Sequence, residues 1–273
     1  MKRSNMLGVG RGYTIVEALI FLAVSGALLI SAMSLINGKQ ERTRFSQAVD
    51  EVGQNLQDIF NDVSTGFYPS ANNLKCVANP LAPATPTTLS LTTDTTVSQG
   101  TNSGCVFSGK LIEFTPDSTD YAVYTMITAS ASTSFAGGLT YLAGGGGNVG
   151  IKDSKTNQDD LRLIKVVEKK SGAAVPSPAT YKAIILVSDF GVSSGSALSG
   201  NAGKVKMYGY NGTVGSGKLD VTTPGLLVAI PSDSQVVLCL AQGGSNASRV
   251  ASVYISPQLT IDRIIGSKDS VVC

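Results

Sequence analysis

The chain has 273 residues, 42% of them hydrophobic and 15% charged, with a formal net charge of +2. That length suits one sizeable domain or two small ones, and the apolar share excludes an intrinsically disordered chain. The charge is too small to argue for nucleic-acid binding on electrostatics alone, and losing Lys2, Arg3 and Arg11 takes it from +2 to −1.

Residues 1–12 form a short, basic, glycine-rich lead. Tyr13–Ile36 is then nearly all apolar or small, interrupted only by Thr14, Glu17, Ser25, Ser31 and Ser34. As a helix this stretch runs about 36 Å, enough to cross a hydrocarbon core of about 30 Å. The cations on its N-terminal side place the bulk of the chain outside the cytoplasm. A cleaved signal peptide fits poorly, because Asn37-Gly38-Lys39-Gln40-Glu41-Arg42 follows instead of a small-residue cleavage site. Glu17 demands a reason, since an unpaired carboxylate in hydrocarbon costs about 2.5–3.5 kcal/mol.

Beyond Arg42 the helical pattern resumes. Phe45, Val49, Val52, Leu56, Ile59, Phe60 and Val63 recur at spacings of three and four. Gln47, Asp50, Glu51, Gln54, Gln57, Asp58 and Asp62 fall largely off that stripe. The pattern predicts one helix from about Tyr13 to about Val63, apolar all round in its first half and one-sided in its second, with Gly26 and Gly38 as soft points.

After Pro69 the texture changes. Residues 78–103 are rich in Pro and Thr and are expected to form a long exposed loop around at most one edge strand. Strand-like segments follow at 110–115, 121–127, 161–167, 181–188, 204–210, 226–230, 235–241, 249–255 and 259–265, most of them β-branched or aromatic. Gly- and Ser-rich connectors, notably 135–150 and 191–203, join them. The expected fold is therefore α+β: a long N-terminal helix, transmembrane in its first half and amphipathic in its second, packed on a β-rich, mainly antiparallel globular head. The expected division is 1–12 as a leader, 13–63 as the helix with its transmembrane segment at 13–36, and 64–273 as the extracytoplasmic head.

The sequence has no histidine, which removes Ser-His-Asp triads, Cys-His pairs and histidine metal sites. The run 144–147 is four glycines without the Gly-Lys-Ser/Thr ending of a phosphate loop, and reads as a connector. Asp159-Asp160 and the segment 115–120 lack calcium-loop spacing and read as turns. Asp189 and Asp233 would form a carboxylate pair only if the fold brought them together. Lys204, Lys206, Tyr208 and Tyr210 alternate onto one face of a strand, read as a solvated face. Four cysteines, Cys76, Cys105, Cys239 and Cys273, are too widely spaced for a compact zinc motif and fit disulfides in an exported domain. Three pairings are open. Cys76–Cys105 with Cys239–Cys273 is preferred because each closes a modest loop, and a chain held in the cytosol would keep all four thiols reduced.

Gly12-Tyr13-Thr14-Ile15-Val16-Glu17, behind a basic leader and ahead of an apolar helix, resembles the processing site of type IV pilins and pseudopilins. The resemblance covers about residues 8–63 and is mildly altered by Tyr13, where phenylalanine is usual. It implies cleavage by a prepilin peptidase between Gly12 and Tyr13 and methylation of the new Tyr13 amine. It also implies that Glu17 pairs with the N-terminal amine of a neighbouring subunit and so sets assembly register. The implied partners are the peptidase, other copies of the chain and other pilins, an inner-membrane assembly platform and a cytoplasmic ATPase. A surface or DNA ligand has no support in the residues, and neither a cofactor nor enzymatic activity is implied. The expected role is a structural filament subunit, first a single-pass membrane precursor and later part of an extracellular pilus. The alternatives are a secretion or competence pseudopilin, or a membrane-anchored, adhesin-like binding protein that never polymerises.

Overall fold

Helix α1 (Ile15–Thr65) opens the described part of the chain as 51 continuous residues. The computed structural model describes residues 14–66, 74–79, 88–93, 105–129, 140–141, 152–170, 172, 180–188, 205–212, 214, 219, 223–243 and 249–267. No proline falls within α1, and the Ser25, Ser31 and Thr43 hydroxyls donate to carbonyls four residues earlier, so these three side chains are satisfied within the helix. The helix stops at Gly66, whose φ of 68° takes the left-handed conformation that terminates helices, with its N–H 3.4 Å from the Val63 carbonyl.

The chain falls into two compact units, Met1–Arg44 and Phe45–Cys273, the division lying inside α1. Within the second unit, Phe45, Ala48, Val49, Val52, Leu56, Ile59, Phe60 and Val63 are all buried. They belong to one apolar cluster with residues of two β-sheets.

The strands, in chain order, are β1 (Leu74–Asn79), β2 (Thr88–Thr93), β3 (Cys105–Phe114), β4 (Asp120–Ala129), β5 (Thr140–Tyr141), β6 (Lys152–Thr156) and β7 (Leu161–Lys170). They continue with β8 (Ala183–Ser188), β9 (Val205–Tyr210), β10 (Leu227–Ala229), β11 (Ser234–Gln242), β12 (Arg249–Ile255) and β13 (Ile261–Ser267). Among the described residues they form a seven-stranded sheet ordered β10-β9-β8-β3-β4-β5 with β6 also on β4, a four-stranded sheet ordered β13-β12-β11-β7, and the β1-β2 hairpin. Every strand pairing among them is antiparallel.

Alternation along each strand decides which core it feeds. From the larger sheet, Ile112, Phe114, Val123, Ile184, Leu186 and Met207 join the helical residues; from the smaller, Leu163, Val166, Val236, Leu238, Leu240, Ala251 and Val253 do so. The opposite face of the larger sheet holds a second cluster of Leu111, Tyr124, Met126, Ile185, Val187, Tyr210 and Leu219. Strand β8 is buried along its whole length because both of its faces carry core.

Polar ties flank the buried stripe of α1. Lys110 on β3 pairs with Asp62, Arg263 on β13 pairs with Asp50, and Gln158 Nε2 donates to Glu51 Oε1 at 3.2 Å. Arg263 also donates to the Asp50 carbonyl at 3.3 Å.

Within the Pro/Thr-rich segment 78–103 the described residues are the last two of β1 and strand β2, which pairs with β1 at the edge of a two-stranded sheet, in keeping with at most one edge strand there; 80–87 and 94–103 lie outside the described residues. Two expectations are revised. Strand β6, Lys-Asp-Ser-Lys-Thr, has no apolar residue to announce it and forms because it pairs along β4. The tyrosine-bearing face of β9 is not a solvated one. Tyr210 is 0% exposed and Tyr208 packs partly against the same cluster, while Lys206 at the far end is exposed. Lys204 lies outside the described residues.

Candidate functional site

The segment that carries the strongest chemical signal is the start of α1. Thr14 caps it: its Oγ1 accepts from the Glu17 N–H at 3.3 Å, and its carbonyl accepts from the Ala18 N–H at 3.1 Å. A threonine cap followed three residues later by glutamate is the spacing of a capping box, and a carboxylate in the first turn also faces the positive end of the helix dipole. Glu17 therefore has a local reason to stand where it does, besides any partner in an assembly. Its side chain is exposed. The Thr-x-x-Glu spacing ahead of an apolar run is the sequence signal for this cap.

From Ile15 to Met33 the helix is long and apolar enough to cross a membrane. All these residues are exposed, including Ile15 at 82%, Phe21 at 74% and Ile30 at 71%. Nineteen residues at 1.5 Å each give about 28 Å, close to the thickness of a bilayer core. So large an apolar surface left open calls for lipid or protein to cover it. Membrane anchors and N-terminal signal sequences share these properties of length and composition.

Gly12 and Tyr13, the expected processing site, lie outside the described residues. Cys239, 1% exposed on β11, is disulfide-bonded, and no described cysteine is free. The side chains of Cys76 and Cys105 and all of Cys273 lie outside the described residues. The preferred Cys76–Cys105 and Cys239–Cys273 pairing predicts two disulfide-linked peptides in a non-reduced digest of the exported protein. A peptide joining Cys239 to Cys76 or Cys105 would replace it.

The remaining candidates are dispersed. Asp117, Asp159 and Asp160 occupy turns at φ 56°, 54° and 52°, a conformation aspartate tolerates through its short polar side chain. Asp160 pairs with Arg162 at 2.9 Å and Asp233 with Lys170 at 3.4 Å. Asp189 lies outside the described residues. Among the described residues no group of three or more acidic or cysteine side chains is placed to hold a metal ion.

No family model, curated protein or solved structure matches this chain.

Proposed function

We propose that the chain is a structural subunit of a type IV pilus or a related filament, assembled through its N-terminal helix after leader cleavage at Gly12. The observation that carries this reading is one conjunction. A capped helix exposes an apolar face of 19 residues, with a single carboxylate, Glu17, in its first turn directly behind Gly12-Tyr13. In the membrane, lipid covers that surface; in a filament, the helices of other copies do. Glu17 then serves as a registry device, because a neighbouring Tyr13 amine offsets its desolvation only at the correct axial stagger.

Mass spectrometry of the N-terminal peptide tests the reading in membrane and sheared-surface fractions. A peptide beginning at Tyr13 with one added methyl group is expected in both, and an intact Met1 leader in every fraction would defeat it. Glu17→Ala is expected to remain membrane-inserted while its amount in the sheared fraction falls about tenfold or more, equivalent to roughly 1.4 kcal/mol or more of assembly energy. Incorporation at the wild-type level would leave Glu17 only its favourable place at the positive end of the helix dipole.

A membrane-anchored binding protein that does not polymerise is favoured by the same exposed helix, and would show cleavage-independent membrane retention with no sheared material.

A further inference from the structure

Past the candidate span, α1 carries a second feature that the filament reading does not use. Lys39, Arg42 and Arg44 are all exposed, and no ion pair holds any of them among the described residues. In the part of α1 that belongs to the head, Asp50 and Asp62 are each met by a cation. At about 100° per residue the three cations stand about 60°, 140° and 160° apart around the helix axis. They encircle the helix. A protein partner approaching from one side would meet one or two of them, whereas a planar layer of headgroups surrounds the helix and meets all three.

Axial distance agrees. Lys39 lies six residues and Arg44 eleven residues beyond Met33, about 9 and 16 Å along a helix. A headgroup layer extends roughly 5–7 Å past the hydrocarbon core, and the field of anionic lipid persists for about another 8 Å at physiological salt. Lysine and arginine stems also bend back toward such a layer while keeping their heads in water.

We infer that Lys39, Arg42 and Arg44 form a collar that binds the phosphates of anionic lipid headgroups at the membrane surface beyond Met33. The inference rests on the membrane-spanning reading of Ile15–Met33. The collar holds the waiting subunit at a fixed depth, and these contacts break when the subunit leaves the bilayer.

The test uses the full chain reconstituted in phosphatidylcholine vesicles with trace spin-labelled lipid. The readout is the association of labelled phosphatidylglycerol relative to labelled phosphatidylcholine. Wild type is expected to prefer the anionic label, and K39Q/R42Q/R44Q to lower that preference at least twofold. The leader cations Lys2, Arg3 and Arg11 contribute equally to both proteins. Raising salt to about 1 M, where the screening length is about 3 Å, is expected to narrow the difference between them. Equal preference in the two proteins, with both resisting carbonate extraction, overturns the collar and leaves the span intact. Release of the wild-type chain by carbonate overturns the span and the collar together.

Discussion

Gly109→Ala is expected to cost about 3–5 kcal/mol and to lower the melting temperature of the detergent-solubilised chain by on the order of 10 °C. Gly109 sits at φ 150° beside an irregularity in the β3–β4 register, where the chain gains one residue between Phe107 and Gly109. A Cβ there would stand 1.8 Å from the Leu186 carbonyl oxygen of β8. The neighbour is backbone, and it belongs to the strand buried on both faces, so it has nowhere to retreat without disturbing two cores. Gly172→Ala is the control. Gly172 has φ 78° with nothing within 4 Å of its would-be Cβ, so it carries the backbone strain without the clash and is expected to cost about 1 kcal/mol. Thermal unfolding of both variants checks this. Equal costs would mean that β8 moves aside.

Asp62→Ala is expected to cost about 2–3 kcal/mol, far more than a surface ion pair is worth. The Lys110 side chain is only 9% exposed, while Asp62 keeps 33% exposure and a share of its hydration. Removing the carboxylate strands an ammonium against the helical core, which is why the loss exceeds the net value of the pair. Removing both charges is expected to recover most of it: Lys110→Met with Asp62→Ala should lie within about 1 kcal/mol of wild type. Denaturant unfolding of the two single variants and the double variant closes the cycle. A cost for Asp62→Ala below about 0.5 kcal/mol would show that water reaches Lys110.

These two sites differ sharply in what the sequence reveals of them. Gly109 looks like any of the 30 glycines, and its importance comes from Leu186, a residue 77 positions away. Lys110 opens the predicted strand 110–115 as an ordinary polar residue, and Asp62 lies off the apolar stripe of α1, where solvent is the natural expectation. Their pairing spans 48 residues. Strand β6 was illegible for a related reason: a polar five-residue segment becomes a strand only because β4 presents an edge to it. The solvated reading of the Tyr208/Tyr210 face failed because alternation states that two residues share a face, but not what lies against that face.

What the sequence determined by itself is the local part. The absence of proline and the spacing of three and four set one helix, read as about Tyr13 to Val63 and found at Ile15–Thr65. The apolar run, broken only by Glu17, Ser25 and Ser31, sets Ile15–Met33 apart as long and apolar enough to cross a membrane. Runs of β-branched and aromatic residues announced most of the strands, because propensity and periodicity act within a few residues. Tertiary structure alone decided the strand order β10-β9-β8-β3-β4-β5, the partition of apolar residues among separate cores, and the pairing of Arg263 with Asp50 across 213 residues. Those outcomes depend on which distant surfaces meet. The loop-closure entropy of bringing them together is offset only when a whole sheet or core forms at once.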